Sequence, residues 1–204
     1  HFSIKEKILI DFCLIILMFT SMEKLKTELS KKIDQPKDEI IDKSSSSVMV
    51  LFHNQKNTPE VLMIKRSKNL KNHSGEWAFP GGKFEFSDNN LMETAFREVT
   101  EEIGIDKSSI KYWLRMKPVN TFTGFTIWPF LGMINKFTKD KLQLNKYEVS
   151  DVMSIPIEVF FENKYKREIT FYENNNFRKS DAFTYKGKII WGASAKIITN
   201  IFNP

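Results

Sequence analysis

Apolar residues recur at helical spacing in three parts of the chain, residues 22–33, 91–103 and 191–202. Steps of three and four residues put these side chains on one face of each segment. The middle segment also carries boundary signals, because Asn90 precedes it and Gly104 follows it. Asn is a favoured N-cap and Gly a favoured C-terminal stop. The pattern predicts three amphipathic helices.

Short apolar runs of strand length make up most of the remaining pattern. They occupy residues 48–52, 61–64, 112–116, 126–133, 149–155, 169–172 and 182–185. A polar turn between the first two runs predicts a hairpin. We expect residues 67–87 to form a structured loop, 156–161 a turn or short helix, and 173–181 a polar loop. Strands and helices do not alternate regularly, which favours an α+β fold with a mixed, layered sheet over a doubly wound one.

The first 47 residues differ in character from the rest. Residues 1–21 begin with His1 and hold an apolar run that Asp11 interrupts. The uncharged part of this run is shorter than the ~20 residues that a membrane-spanning helix needs. We interpret 1–21 as upstream read-through or a non-core segment, although a signal-like or membrane-tethering segment is an alternative. Residues 22–47 are expected to form a helix and linker, and residues 48–204 one main domain.

Composition narrows the class of protein only slightly. The 204 residues are 41% hydrophobic and 27% charged, which excludes a disordered chain. The formal charge of +6 fits nucleotides, nucleic acids or membranes as partners. It is equally explained by a general bias toward Lys, Asn and Ile, as AT-rich coding would produce. Cys13 is a single cysteine, so no disulfide forms within the chain, and a reducing cytoplasm is the simplest setting.

Three carboxylates share one face of the predicted middle helix. Glu98, Glu101 and Glu102 lie within about 100° of one another around its axis. Such a face is either simply solvated or a site for Mg²⁺ or Mn²⁺, since hard oxygen ligands without His or Cys select these ions. The loop in front contains Gly81 and Gly82, where the backbone turns tightly or approaches a ligand. Glycines leading into an acidic helix favour the metal and phosphate interpretation.

Residues 82–105 resemble the Nudix box, the signature of hydrolases that cleave nucleoside diphosphates linked to another group. The matching positions are Gly82, Asp88, Arg97, Glu98, Val99, Glu101, Glu102, Gly104 and Ile105. Asp88 stands where Glu is usual, and the spacing from Asp88 to Arg97 is one residue longer than in the common box. Both departures are similar to one subgroup, the coenzyme A pyrophosphatases.

A second motif of that subgroup lies just upstream. It is matched by Leu62, Arg66, Ser67, Gly75 and the run Phe79-Pro80-Gly81-Gly82. Lys71 replaces an arginine of the motif, which keeps the charge but loses the two-pronged grip on phosphate. The resemblance covers about residues 48–202.

The resemblance implies an α/β/α sandwich with a mixed central sheet and a catalytic loop-helix-loop. It implies metal-dependent hydrolysis of coenzyme A or an acyl-CoA to 3′,5′-ADP and a 4′-phosphopantetheine. Other Nudix substrates are alternatives: ADP-ribose, a dinucleotide polyphosphate, an oxidised nucleoside triphosphate or an RNA cap. A catalytically silent nucleotide- or RNA-binding module is a further alternative.

The resemblance also assigns residues to roles. The metal ligands would be Glu98, Glu101 and Glu102, and the catalytic residues Arg97, Glu98, Glu101 and Glu148, with Glu148 and Glu98 as rival general bases. The substrate-binding residues would be Arg66, Lys71, Gly81, Gly82 and Lys83. The expected partner is a small nucleotide-like molecule in the cytoplasm, not a nucleic acid or a membrane, and a monomer and a homodimer are both open.

Overall fold

The fold is built from three α-helices and eleven strands in the part of the chain that the computed structural model describes, residues 21–36, 41–55, 58–121, 124–173 and 175–202. The helices are α1 (Met22–Lys32), α2 (Leu91–Ile103) and α3 (Gly192–Phe202). The strands are β1 (Ser45–His53), β2 (Glu60–Arg66), β3 (Trp77–Ala78), β4 (Gly81–Lys83), β5 (Ile110–Arg115), β6 (Val119–Asn120), β7 (Thr126–Ile134), β8 (Val149–Pro156), β9 (Lys166–Glu173), β10 (Asn176–Tyr185) and β11 (Lys188–Trp191).

Strand β1 is the centre of a mixed eight-stranded sheet. It pairs in parallel with β7 and antiparallel with β2 and β4. Strand β2 also pairs with β3 and β8, and β7 with β5 and β6. Strands β9, β10 and β11 form a separate antiparallel sheet. The predicted hairpin of β1 and β2 is confirmed, and the mixed pairing agrees with an α+β class.

Alternate residues of β1 supply two different cores, one on each face of the sheet. Met49 and Leu51 pack among residues of α2. Val50 and Phe52 pack with α1 and α3 on the opposite face. These are three layers, so the predicted α/β/α sandwich is confirmed.

Helix α2 begins and ends where its sequence signals predict. The Asn90 side chain accepts the backbone N–H of Glu93 at 3.0 Å. Gly104 ends the helix with φ of 70°, and its N–H bonds to the Thr100 carbonyl. Leu91, Ala95, Val99 and Ile103 are fully buried along its apolar face. Local capping and burial together fix this helix against the sheet.

Two of the sequence predictions about irregular segments are wrong. Residues 45–47, expected in a linker, begin β1, and Ser45 and Ser47 are buried there between β4 and β7. Pairing on both sides outweighs the preference of serine for turns. The predicted polar loop 173–181 is largely the first half of β10, paired with β9. Its polar pattern misled the prediction because this ribbon is mostly exposed.

Smaller differences concern the ends of elements. The loop 67–87 includes the short strands β3 and β4, and Trp191 ends β11 instead of starting the last helix. Segment 156–161 contains a 3-10 turn at Ile157–Phe160, as expected.

The start of the chain is only partly described. The prediction for residues 1–21 falls almost entirely outside the described residues. Helix α1 buries Leu25 and Leu29 in the same core as α3, so this segment packs on the domain. Among the helices that the structure describes, none is long and apolar enough to span a membrane.

Candidate active site

The guanidinium of Arg97 joins the loop in front of α2 to the acidic face of the helix. It donates to both carboxylate oxygens of Asp88 at 3.0 and 3.1 Å. It also donates to Glu98 at 3.1 Å, to Glu101 at 3.0 Å and to the Lys83 carbonyl at 3.1 Å. Asp88 contributes most to raising the pKa of Arg97 above its usual range. One cation therefore fixes the positions of two of the predicted catalytic carboxylates.

Asp88 is the anchor of Arg97. Its carboxylate also accepts the Thr94 hydroxyl at 2.8 Å and the Glu85 N–H at 3.1 Å. The hydrogen bonds from Arg97 and Thr94 lower the pKa of Asp88, so it stays ionised in a buried position. The sequence pattern did not indicate Thr94. Its only sequence signal is a hydroxyl in the first turns of α2 shortly after an acidic loop residue.

Gly81 and Gly82 bring the backbone of β4 against β1 and α2. A Cβ on Gly82 would lie 2.1 Å from a carboxylate oxygen of Glu98, and a Cβ on Gly81 would lie 2.2 Å from the Ser47 carbonyl oxygen. At Gly81 a side chain would collide with backbone, and at Gly82 it would force the Glu98 carboxylate to move. The glycine pair therefore lies close to Glu98 and to the β1 backbone, and its role in binding substrate stays a prediction.

Glu102 is a buried carboxylate, only 2% exposed. It accepts the N–H of Gly81 at 3.0 Å. Burial, and then the charges of Glu98 and Glu148, raise the pKa of Glu102 to about 8, although Gly81 and Arg66 act in the opposite direction. At neutral pH this group is poised to bind either a proton or a cation.

Glu98 lies at the border between Glu102 and solvent. Its side chain is 14% exposed and is contacted by Arg97. Burial raises the pKa of Glu98, Arg97 lowers it, and the neighbouring charges of Glu101 and Glu148 raise it further. Glu101 itself is half exposed and faces Arg97. The three glutamates of the helix therefore have three different environments.

Glu148 reaches the same site from a distant part of the chain. The Asn145 N–H bonds to the Glu102 carbonyl at 3.0 Å, and the Ser67 N–H bonds to the Glu148 carbonyl at 2.7 Å. These bonds place residue 148 between the end of β2 and the last turn of α2. The Glu148 charge is close enough to raise the pKa of both Glu98 and Glu102. The structure therefore brings Glu148 to the acidic helix, and Asn145 is an anchor that the sequence did not indicate.

The predicted substrate-binding cations are placed differently from one another. Arg66 is half-buried at the end of β2, and its charge lowers the pKa of Glu102. Lys83 is exposed, with its ammonium 4.6 Å from the centre of the Phe125 ring. Lys71 is exposed on the loop after β2, and no contact within the described residues ties it to the carboxylates.

The side chains that could donate to a metal at this site are carboxylates. Within the part of the chain that the structure describes, no three acidic, imidazole or thiol side chains converge as a preformed metal centre. Glu148 nevertheless raises the pKa of Glu98 and of Glu102, and Glu98 raises that of Glu102, which is the repulsion that a divalent cation offsets. Hard oxygen donors suit Mg²⁺ or Mn²⁺. The chemistry of the donor set therefore fits such an ion.

Comparison with known proteins gives consistent matches. The family model described as NUDIX domain matches residues 43–173. The chain is 31% identical over 144 residues to a protein of Yersinia pestis (strain Pestoides F) named uncharacterized Nudix hydrolase NudL, covering 70% of this chain and 71% of that protein. A protein of the same name from Pectobacterium atrosepticum is 28% identical over 141 residues, covering 69% and 72%.

A solved structure resembles the fold. The MutT/nudix family protein from Enterococcus faecalis superimposes with a TM-score of 0.50 at 18% identity, over 90% of this chain and 73% of that chain. At this identity the likeness supports the fold alone.

Proposed function

We propose, since the chain belongs to the Nudix hydrolase family, that it hydrolyses the pyrophosphate bond of coenzyme A or an acyl-CoA. As a Nudix hydrolase it acts on a nucleoside diphosphate derivative, and members of the family generally use divalent metal ions. One observation carries the finer assignment. Arg66 belongs to the upstream motif, and its charge lowers the pKa of Glu102, which belongs to the Nudix box. The products would be 3′,5′-ADP and a 4′-phosphopantetheine in the cytoplasm.

The metal in this proposal is Mg²⁺ or Mn²⁺, held by Glu98 and Glu102 with Glu148 close by. Glu101, which faces Arg97, stays a candidate for a further or water-mediated ligand. When bound, the ion supplies charge neutralisation at the pyrophosphate and activation of water. Everything else in the reaction depends on side chains of this chain.

Arg97 orients Glu98 and Glu101 through charge-assisted hydrogen bonds. Arg66 is the best-placed cation for the substrate phosphates, followed by Lys83 and Lys71. A water oxygen forms the new bond to phosphorus while the bridging P–O bond breaks, and the bridging oxygen leaves on the other phosphate. Glu148 or Glu98 takes the proton of that water, because both carboxylates face the acidic site.

The test is incubation of the 204-residue protein with coenzyme A and Mg²⁺ or Mn²⁺, with 3′,5′-ADP followed by chromatography. We expect product from the parent protein and a loss of at least hundredfold in Glu102→Gln. Glu93→Gln is the matched control, since Glu93 lies on the same helix but its carboxylate bonds to Asn89 instead.

A substrate panel separates the alternatives. Intact coenzyme A beside cleaved ADP-ribose or dinucleotide polyphosphate would contradict the substrate but not the reaction. Absence of turnover with every member of the panel would favour the silent binding module.

A further inference from the structure

Tyr147 is a large aromatic side chain in solvent, on the turn that Asn145 anchors to the last turn of α2. It is 68% exposed. Its neighbour Glu148 raises the pKa of both Glu98 and Glu102. An exposed aromatic ring at the rim of a ligand site offers a flat apolar surface with little entropy to lose on binding.

The backbone that carries Tyr147 is fixed on both sides. The Gln143 and Asn145 N–H groups bond to carbonyls in the last turn of α2 at 3.1 and 3.0 Å. The Tyr147 N–H bonds to the Asn145 side chain at 3.2 Å, and the Val149 N–H bonds to the Asn145 carbonyl at 2.8 Å. This segment is therefore pre-organised, and a ligand that used it would not have to order a loop.

The cations on the Tyr147 side of the acidic helix suit an anionic ligand better than the charged residues on the opposite flank, around Arg97. Lys146 is exposed next to it, and Arg66 is close enough to Glu102 to lower its pKa. On the other flank, Phe86 is fully exposed, but the carboxylate of Glu85 next to it is also 62% exposed. The cation on that flank is Arg97, which already contacts four acidic side chains. A phosphate group is therefore drawn to the Arg66 side.

Apart from the exposed Phe86, four aromatic residues near the Nudix motifs do not offer a free ring face. Trp77, Phe79 and Trp128 are each at most 5% exposed and belong to the two cores. Phe125 is half-buried and has the Lys83 ammonium over its ring.

We propose that Tyr147 is a stacking platform for the nucleobase of the substrate, which places the base on the Arg66 side of the site. The proposal rests on the proposed function only in requiring a nucleotide ligand. The nucleobase has a flat π-face that stacks on an aromatic ring whatever its hydrogen-bonding edge. The phosphates then lie between this ring and the carboxylates, within reach of Arg66.

The experiment measures binding of ADP and of inorganic pyrophosphate to the full chain by titration calorimetry in Mg²⁺. Pyrophosphate carries the charges without the base. Tyr147→Ala should raise the Kd for ADP about tenfold, as expected from loss of one base–aromatic stack. The Kd for pyrophosphate should change less than about twofold, and Tyr147→Phe should behave as the parent protein.

The matched control is Tyr172→Ala, because Tyr172 is 64% exposed on β9, outside the site. It should bind both ligands as the parent does. The inference is overturned if the parent does not bind ADP, if Tyr147→Ala binds ADP normally, or if that variant loses ADP and pyrophosphate equally. Both substituted positions are exposed, and equal Tm values would show that folding is unaffected.

Parallel assays with coenzyme A separate this inference from the proposed function. A parent protein that binds ADP through Tyr147 but leaves coenzyme A intact would refute the substrate and keep the platform. Turnover of coenzyme A together with normal ADP binding by Tyr147→Ala would refute the platform and keep the function.

Discussion

Replacing Glu102 with Gln should stabilise the metal-free protein at alkaline pH. The pKa of this carboxyl rises from 4.5 to about 8 in the folded chain, chiefly because of burial. A raised pKa means that the folded state favours the neutral form. The raised pKa therefore leaves the free energy of unfolding unchanged below pH 4.5. It lowers that free energy progressively between pH 4.5 and 8, and by a constant amount above pH 8. Gln is neutral throughout, and its carbonyl can still accept the Gly81 N–H.

The size of the effect follows from the two pKa values. Each tenfold change in the protonation equilibrium is worth about 1.4 kcal/mol. The parent protein should therefore lose about 3 kcal/mol of unfolding free energy at pH 7, and about 5 kcal/mol above pH 8, relative to Glu102→Gln. These figures are large beside the 5–15 kcal/mol that is typical for a whole domain.

The assay is urea unfolding of both proteins in EDTA at pH 5, 6, 7 and 8. The difference in unfolding free energy between them should grow with pH, and Mg²⁺ should narrow it by binding the folded parent protein. Glu93→Gln should instead differ from the parent by a nearly constant amount. A parent–Glu102→Gln difference that does not change with pH would refute the assignment of Glu102 as a buried group that titrates near neutrality.

Three further substitutions test the frame around the carboxylates. Gly82→Ala places a Cβ 2.1 Å from a Glu98 oxygen. Because the carboxylate must then move, kcat in the coenzyme A assay should fall at least about tenfold with little change in Tm. A kcat equal to that of the parent protein would show that this carboxylate can move freely. Arg97→Lys keeps the positive charge but loses the guanidinium that bonds to both Asp88 and Glu98. Urea unfolding should show a loss of about 1–3 kcal/mol of unfolding free energy, and kcat should fall as well. An unchanged unfolding curve would contradict the anchor role. Gly104→Ala must adopt φ near +70° against the Gln143 side chain, so calorimetry should show about 1–2 kcal/mol of destabilisation, and an unaltered Tm would contradict this.

Helix α2 could be predicted from sequence because its determinants are local. Its apolar spacing, the Asn90 cap and the Gly104 stop all lie within or next to the segment. Strand β1 shows the opposite case. Ser45 and Ser47 are buried because β4 and β7 pair with this end of β1, and the partner residues lie 35 to 81 positions further along the chain. No local pattern contains that information.

The same distinction applies to the site. Spacing alone placed Glu98, Glu101 and Glu102 on one helix face, but it could not separate their environments. Glu102 is buried because the β4 backbone crosses it at Gly81, whereas Glu101 stays half exposed beside Arg97. These differences arise from how the loop folds over the helix. The family motif identified the three glutamates, and long-range packing determines how deeply each one is buried.

The two flanks of the acidic helix are held by different kinds of contact, and this predicts different responses to mutation. On the Arg97 flank, the side chain that orients Glu98 also binds Asp88 and the Lys83 carbonyl, so activity and stability should fall together. On the Tyr147 flank, the backbone is anchored by main-chain bonds to α2 that do not involve the tyrosine ring. Changing that ring should alter ligand affinity alone. If Tyr147→Ala instead lowered Tm as Arg97→Lys does, the ring would be part of the scaffold and not of the ligand site.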